Sequence, residues 1–422
     1  MTFEKTFCPS PWFHMRITNN GGMTFCRWSN KLDTGADIQQ QTPIEFFQNG
    51  MQTIRTAMLH GQGYSGCNEC YQMERHGKVS GRQRQLLKIG VEHDNFAKSL
   101  KSSPWVDALT KEPCAQLPQD WQIDLGNLCN SGCVFCGPES SSKLASEQLA
   151  LGMIQTLPPP NWTDRKDLLQ KFFDTLAVSP HVQYIHFIGG ETLIAPAFAQ
   201  ILRHLIDCGF NRTVTIGFTT NLTVWPQSVI DLICEFDQVN VGLSVEAFAP
   251  VNDYVRWPSK LSVVEKIFSQ WTQLCHDRNW YVQIRSTPTL LSLPDLLSLY
   301  DCAWQQNVAI ESCNFLQEPA FLRASVLPLE IKSTLINQFQ QWLDQHVNQS
   351  HNKVINTRDP NVARQQICQD LQSYIHYLTN EADESHRAAT LAAYLTKIES
   401  VRGNRVLDYR PEYEQFLRAA GY

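Results

Sequence analysis

Three cysteines close together in the chain are the residues best suited to chemistry. Cys129, Cys133 and Cys136 form a C-x3-C-x2-C array, and Phe135 stands directly before the last of them. Thiolates at this spacing can bind one face of a cubane iron–sulfur cluster, leaving one iron without a protein ligand, whereas most ferredoxin-type sites close the cluster with a fourth cysteine. An open iron can bind a substrate or cofactor, as in catalytic zinc sites. A zinc knuckle, or chance clustering among 14 cysteines, is the alternative that the array alone leaves open.

A glycine pair and an acid follow an apolar segment downstream of this array. Residues 182–188 are mostly apolar, as is typical of a buried parallel strand. The segment leads into Gly189, Gly190 and Glu191. Glycines let a backbone approach a ligand closely, and a carboxylate accepts hydrogen bonds from an ammonium group. The pattern therefore predicts a ligand contact at the end of this strand.

Two later segments also end in polar residues. Residues 213–220 lead to Asn221, and residues 239–246 end with Ser244 and Glu246. Side chains two positions apart on a strand point the same way, so Ser244 and Glu246 are predicted to share a face. Taken alone, the pair is an ordinary polar strand end.

Strand-like and helix-like segments alternate through the middle of the chain. Six strands are predicted, at residues 123–125, 182–191, 213–220, 239–246, 280–287 and 308–315. Helical stretches lie between them, including residues 198–208 and 261–275. This alternation predicts an α/β fold with a parallel sheet and right-handed crossovers. In barrels of this kind the chemistry lies at the carboxyl ends of the strands, where the motif residues fall.

In this order, the motifs resemble the signature of the radical S-adenosylmethionine (SAM) superfamily. The resemblance implies a partial (β/α)6 TIM-like barrel with a 4Fe–4S cluster on Cys129, Cys133 and Cys136. It implies that SAM binds the open iron through its amino and carboxylate groups. An electron from the cluster would then cleave SAM into methionine and a 5′-deoxyadenosyl radical, which takes a hydrogen atom from the substrate.

The same resemblance implies which residues contact SAM. The segment Gly189, Gly190 and Glu191 would hold its amino group. Ribose contacts would come from Asn221, Ser244 and Glu246, and Phe135 belongs to the cofactor-binding set through its place in the array.

A second cysteine set lies near the N-terminus, at Cys8, Cys26, Cys67 and Cys70. Four thiolates suffice to close a second cluster. Their spacing resembles the twitch/SPASM auxiliary-cluster module, which here precedes the barrel, whereas in many family members it follows. A structural zinc site with four cysteine ligands is the competing interpretation.

Three regions are predicted along the chain. A twitch-like module covers residues 1–105, the barrel covers residues 115–315, and a helical region covers residues 316–422. In the last region an apolar stripe at helical spacing predicts a helix packed on the barrel. The stripe consists of Leu335, Ile336, Phe339, Trp342, Leu343 and Val347.

Composition argues against several classes of protein. The 422 residues carry a net charge of −6 without a long Lys/Arg run, so nucleic acid is not the expected partner. No segment has the build of a signal peptide or a membrane span, which favours a cytoplasmic location, where thiols stay reduced.

The function expected from the resemblance is modification of a ribosomally made peptide by crosslinking, epimerisation, splicing or oxidation. The implied partners are the peptide, an electron donor of flavodoxin or ferredoxin type, and a separate leader-binding protein. Two alternatives stay open. One is a dehydrogenase or tailoring enzyme of the same superfamily that acts on a small metabolite. The other is a non-catalytic protein with zinc in both cysteine sets.

Overall fold

A single eight-stranded sheet organises the protein. The computed structural model describes residues 3–26, 34–91, 117–310, 315–346 and 360–422. The strands follow one another across the sheet in the order β2-β1-β3-β4-β5-β6-β7-β8. They are β1 His14–Ile17, β2 Met23–Thr24, β3 Asp120–Asp124, β4 Tyr184–Ile188, β5 Thr215–Thr220, β6 Val239–Ser244, β7 Tyr281–Arg285 and β8 Ala309–Ile310.

The predicted alternation of strands and helices is confirmed. Strands β3 to β8 are the six predicted strands, and each is parallel to its neighbours. The sheet is an open one, which ends at β2 on one side and at β8 on the other. Residues 311–314 of the last predicted strand lie outside the described residues, as does Val347.

Sixteen α-helices are described, most of them around this sheet. They are α1 Phe3–Thr6, α2 Pro43–Glu45, α3 Gln52–Leu59, α4 Asn68–Arg75, α5 Gly81–Lys88, α6 Ser142–Ala150, α7 Lys166–Ala177, α8 Pro196–Asp207, α9 Gln227–Ile233, α10 Val251–Val255, α11 Leu261–Asp277, α12 Leu296–Gln306, α13 Leu329–His346, α14 Pro360–Asn380, α15 Ala388–Arg402 and α16 Glu414–Ala419.

The two faces of the sheet differ in polarity because successive side chains on a strand point to opposite faces. On the outer face Phe187 packs against Phe198 of α8, with 5.1 Å between ring centroids. On the inner face His186 Nε2 lies 3.2 Å from Nη1 of Arg285. Gly242 makes room there, since a Cβ at this position would lie 2.8 Å from Cδ of Arg285. The apolar core thus lies under the helices, and polar groups line the inside of the barrel.

The N-terminal hairpin extends the barrel sheet. Strand β1 pairs with β3 in parallel, with His14 opposite Asp120, and β2 pairs with β1 in antiparallel fashion. Arg16 Nε donates a 3.0 Å hydrogen bond to Asp124 across this junction. The predicted boundaries at residues 105 and 115 fall outside the described residues, so the division into modules stays a prediction.

The C-terminal helices pack as the apolar stripe predicts. Helix α13 buries four members of that stripe and half-buries Ile336. The four are Leu335, Phe339, Trp342 and Leu343. Helices α13 and α14 contact each other, and α14 contacts β8, so the region covers one end of the sheet. Among the described residues, no helix has the length and apolarity needed to cross a membrane.

Candidate active site

Both cysteine sets line one cavity of about 400 Å³. It is lined by Cys129, Cys133 and Cys136 after β3 and by Cys8, Cys26, Cys67 and Cys70 from the N-terminal region. Phe135, Gly189, Gly190, Glu191, Asn221 and Ser244 also line it, whereas Glu246 does not. The structure therefore brings all but one of the predicted site residues to a single cavity on the inside of the sheet.

The segment that carries the first cysteine set, residues 125–141, is called here the cluster loop. It contains little regular structure and is held by its neighbours. The backbone N–H of Gly132 donates to Trp257 O at 2.7 Å, and that of Val134 donates to Val255 O at 2.9 Å. From the C-terminal region, the Tyr394 hydroxyl donates to Val134 O at 2.9 Å. These bonds fix the loop on both sides of Cys133.

The glycine pair lies against the backbone of the cluster loop. A Cβ at Gly190 would lie 2.1 Å from Leu128 O, and one at Gly189 would lie 2.5 Å from Gly126 O. Gly189 also has a φ of +144°, a backbone conformation that residues other than glycine rarely adopt. The amide of Gly190 donates to Gly126 O at 2.8 Å. The sequence predicted a close backbone approach at these glycines. Among the described residues, the segment that they approach is the cluster loop.

Glu191 is buried and links two strand ends. Its side chain accepts hydrogen bonds from the backbone amides of Leu193 at 3.2 Å and Asn221 at 2.6 Å. Burial raises the pKa of Glu191 to about 7, against the opposing effect of these hydrogen bonds. The carboxylate faces the cavity and retains acceptor capacity beyond the two amide bonds.

The side chain of Asn221 is hydrogen-bonded to the cluster loop. Its Nδ2 donates to Asn130 Oδ1 at 2.8 Å and to Ser131 Oγ at 3.0 Å. Its Oδ1 accepts from the hydroxyl of Thr223 at 2.6 Å. Asn130 in turn donates to Thr223 Oγ1 at 2.8 Å. The strand end predicted to contact SAM therefore also holds the loop between Cys129 and Cys133.

Ser244 and Glu246 have different surroundings. Ser244 ends β6 and lines the cavity, while Glu246 lies beyond the strand and is fully buried. The Glu246 carboxylate accepts from Arg256 Nη2 at 2.5 Å, from Ser286 Oγ at 2.7 Å and from the Thr287 amide at 2.8 Å. Strand alternation ends at Ser244, so it no longer fixes the direction of the Glu246 side chain.

Positive charges surround the thiol of Cys133. A hydrogen bond with Cys136 lowers the pKa of Cys133 to about 7, burial opposes this, and the guanidinium of Arg256 lowers it further. Arg402 contributes in the same direction. The donor set fits an iron–sulfur cluster because the three thiols share one cavity. The charge of Arg256 favours the thiolate forms of Cys133 and Cys136. In the opposite direction, burial raises the pKa of Cys129 to about 12, and the hydrogen bond with Cys133 raises the pKa of Cys136.

The N-terminal cysteines converge although 62 positions separate the first from the last. The thiol of Cys67 interacts electrostatically with those of Cys8, Cys26 and Cys70. Burial raises the pKa of Cys8 to about 11 and that of Cys70 to about 12. Within the described residues, no group of three or more His, Cys, Asp and Glu side chains is arranged to hold a single metal ion.

An ion pair between Arg82 and Glu74 stabilises the segments that carry the second cysteine set. Arg82 donates to Glu74 at 2.6 and 2.9 Å and to Phe7 O at 3.1 Å, and Ser80 Oγ donates to Glu74 at 2.6 Å. Arg82 also lines the cavity. The segment that contains Cys67 and Cys70 is thereby tied to the segment that contains Cys8.

Several residues of the cavity were not singled out by the sequence. Arg256, Arg285, Ser286 and Thr287 line it. The alternation of β7 indicates that Arg285 and Gln283 share a face, but nothing in the sequence reveals that this face is the inner one. His14 also lines the cavity, is 4% exposed and places Nδ1 3.0 Å from Asp120 Oδ1. In the described part of the chain its Nε2 has no hydrogen-bond partner.

The solved structures that resemble this chain include SuiB from Streptococcus suis. SuiB bound to precursor peptide SuiA matches with 12% identity and a TM-score of 0.37, covering 66% of this chain and 60% of that one. SuiB bound to S-adenosylmethionine matches with 13% identity and a TM-score of 0.34, at the same coverage. This chain thus spans about 60% of the length of these structures. No functionally curated protein matches the sequence significantly.

A family model gives the more specific result. Residues 123–284 match the model of the radical SAM superfamily. This range begins in β3, contains the cluster loop and the segments ending in Glu191, Asn221 and Ser244, and ends in β7. The part of this chain from residue 123 to residue 284 therefore belongs to the radical SAM superfamily.

Proposed function

We propose that this protein is a radical SAM enzyme with an auxiliary iron–sulfur cluster, and that its substrate binds in the cavity between the two cysteine sets. Membership of the superfamily implies a 4Fe–4S cluster and SAM. The observation that carries the finer proposal is that all seven cysteines line the same cavity.

The first cysteine set is proposed to hold the SAM-binding cluster. Cys129, Cys133 and Cys136 supply three thiolates, and the cluster loop is held by bonds from Trp257, Val255 and Tyr394. When bound, the cluster supplies the electron that cleaves SAM. Glu191 would accept hydrogen bonds from the amino group of SAM, and its bonds to the Leu193 and Asn221 amides fix the carboxylate for that task.

The barrel interior is proposed to enclose the reaction. A reactive radical needs a site that excludes water and places one C–H bond close to it. The cavity lies on the inner face of the sheet, where Arg285, Thr219 and His186 are joined by contacts of 3.2–3.3 Å. Thr219 and Arg285 line the cavity and would provide directional contacts for a substrate, and His186 positions Arg285.

The second cysteine set is proposed to hold a fully ligated 4Fe–4S cluster that serves the substrate. Support comes from its shared cavity with the first set and from the mutual proximity of its four thiols. A cluster there would exchange electrons with the substrate or bind it. The cysteine spacing resembles that of twitch/SPASM modules, so we expect a peptide substrate. The expected reaction is crosslinking, epimerisation, splicing or oxidation. An electron donor and a leader-binding protein are the further partners expected from the same resemblance.

The experiment that tests the proposal measures SAM cleavage. Protein purified and reconstituted without oxygen should form 5′-deoxyadenosine from SAM when dithionite is added, as measured by liquid chromatography and mass spectrometry. Cys133→Ala should abolish the product because one thiolate ligand is lost. Cys208→Ser is the matched control, since Cys208 is an exposed thiol outside the cavity. Equal rates in wild type and Cys133→Ala would refute the proposal.

A further inference from the structure

A guanidinium from the C-terminal region contacts the cluster loop. Arg402 ends helix α15, and its side chain is 1% exposed. Gly132 lies between Cys129 and Cys133, and a Cβ at Gly132 would lie 3.2 Å from Nη2 of Arg402. The central carbon of the guanidinium also lies 5.0 Å from the ring centroid of Trp257, whose carbonyl accepts the Gly132 amide. Arg402 is thus packed directly against the loop that carries the three thiols.

The hydrogen bonds of Arg402 account for only part of its donors. Its Nε donates to Glu147 Oε1 and Oε2, each at 3.1 Å, and its Nη2 donates to Oε1 at 2.8 Å. The remaining nitrogen, Nη1, is buried and has no acceptor among the residues that the structure describes. Buried donors are nearly always paired in proteins, so an orphaned one beside a ligand loop points to an acceptor outside the described residues, for which a bound cluster or its ligand is a candidate.

Two guanidinium groups, those of Arg402 and Arg256, contact the cluster loop. That of Arg256 lies over the ring of Phe135, with 5.3 Å from its central carbon to the ring centroid. Each guanidinium is balanced by a buried carboxylate, since Glu246 pairs with Arg256 and Glu147 with Arg402. Lys143 adds a positive charge at the Trp257 ring, 4.6 Å from its centroid. A cluster gains negative charge when it is reduced, and nearby charges and hydrogen bonds to sulfur are what set its reduction potential.

We propose that Arg402 is a positioning residue that raises the reduction potential of the cluster expected at Cys129, Cys133 and Cys136, and that Glu147 limits this effect. The inference rests on the proposed function for the identity of the cluster. It assigns the C-terminal helix α15 a role in the chemistry of the barrel, through a residue 266 positions after Cys136 in the chain.

Opposite substitutions within the same ion pair test the proposal. Arg402→Gln removes the positive charge and should shift the midpoint potential to a lower value, whereas Glu147→Gln leaves the charge less balanced and should shift it to a higher value. A shift of about 59 mV corresponds to a tenfold change in the one-electron equilibrium, which is the size expected for Arg402→Gln. The measurement is a redox titration of the reconstituted holoprotein followed by electron paramagnetic resonance.

Two further variants serve as controls for charge and for packing. Lys397→Gln removes a positive charge from an exposed side chain of the same helix, and should leave the potential unchanged. Arg402→Lys keeps the charge and should shift the potential less than Arg402→Gln. If Arg402→Gln fails to fold by circular dichroism, Glu147→Gln must still raise the potential and Arg402→Lys must still lower it slightly.

The outcomes distinguish this inference from the proposed function. A purely structural ion pair predicts that Arg402→Gln and Glu147→Gln shift the potential in the same direction or not at all, and either result would overturn the inference. In that case the wild type would still hold its cluster and cleave SAM. A wild-type protein that takes up no iron after reconstitution would instead overturn the proposed function, and this inference with it.

Discussion

The carboxylate of Glu246 binds the guanidinium of Arg256 in the protein interior, with 2.5 Å between Oε1 and Nη2. Arg256 in turn lies over the ring of Phe135 in the cluster loop, with 5.3 Å from its central carbon to the ring centroid. An acid that the sequence motif assigns to SAM is therefore connected to the cluster loop through an arginine. Because of this connection, we expect Glu246 to contribute to the stability of the folded protein, which a residue that only contacts a ligand would not do.

Glu246→Gln should destabilise the protein strongly. Removing one partner of a buried ion pair costs about 3–5 kcal/mol, because the remaining charge stays buried without its counterion. Here that charge is Arg256, whose side chain is 10% exposed, while Glu246 is fully buried. Urea unfolding of the apoprotein measures the loss.

The control for this prediction is an exposed ion pair. Asp237 pairs with Arg212 at 2.6 Å, and both side chains are about half exposed or more. Asp237→Asn should cost only about 0–1 kcal/mol. Equal losses in the two variants would contradict the importance given to the buried pair, and weaker SAM binding by a fully stable Glu246→Gln variant would favour a direct ribose contact.

Glu191→Gln should weaken SAM binding while the cluster remains. Oε1 of Glu191 accepts from the Leu193 amide and Oε2 from the Asn221 amide, so glutamine keeps only one of these two acceptors. The substitution also removes the charge proposed to meet the ammonium group. A charge-assisted hydrogen bond contributes about 1.5–3 kcal/mol, or roughly one to two decades of affinity. Calorimetric titration of the reconstituted protein with SAM gives the affinity, and the visible absorption spectrum reports the cluster.

Glu139→Gln is the matched control for that variant. Glu139 belongs to the cluster loop but is exposed and does not line the cavity, so its substitution should leave SAM affinity at the wild-type value. If Glu191→Gln also binds SAM as tightly as wild type, the role given to Glu191 is wrong.

Asn221→Ala should loosen the cluster loop. The variant loses the Nδ2 hydrogen bonds to Asn130 and Ser131, and two such bonds contribute roughly 1–3 kcal/mol together. We expect iron to leave the reconstituted protein roughly tenfold faster or more when a chelator is added. Loss of visible absorption over time provides the rate.

The same substitution at a distant site provides the comparison. Asn211 is also buried, and its Nδ2 donates to Glu235 O at 2.9 Å, outside the cavity. Asn211→Ala should release iron at the wild-type rate. Similar acceleration in both variants would mean that general destabilisation, and not the Asn221 contacts, controls iron loss.

The N-terminal cysteines should account for half of the bound iron. Two cubane clusters predict about 8 iron atoms per chain after anaerobic reconstitution, and a zinc site at the N-terminus predicts about 4. Replacing Cys67 and Cys70 by Ser should remove about 4 iron atoms and preserve SAM cleavage, because the first cysteine set is proposed to hold the SAM-binding cluster without them. Iron and zinc are measured by elemental analysis.

Folding must be checked in that double variant, since loss of a metal site can unfold a small module. Circular dichroism reports the fold, and Cys208→Ser again serves as the thiol control. A folded Cys67→Ser/Cys70→Ser variant that keeps its full iron content would exclude an auxiliary cluster on these residues.

The sequence by itself determined the features that depend on local spacing. The six barrel strands, the helices between them and the radical SAM signature follow from alternation and from motifs whose members are neighbours in the chain. Cys129 and Cys136 are held close by the chain itself, and the glycines before Glu191 indicate a close backbone approach. Such patterns need no knowledge of distant contacts, which is why the α/β fold could be predicted.

Only the tertiary structure decided which distant groups meet. It showed that the hairpin containing His14 extends the barrel sheet, that both cysteine sets line one cavity, and that Arg402 reaches the cluster loop. It also showed that Glu246 pairs with Arg256 in the protein interior. The sequence could not predict these contacts, because they join residues up to hundreds of positions apart. For Arg402 with Glu147 and Arg256 with Glu246, the physical reason is that a buried charge requires a partner, whichever segment of the chain supplies it.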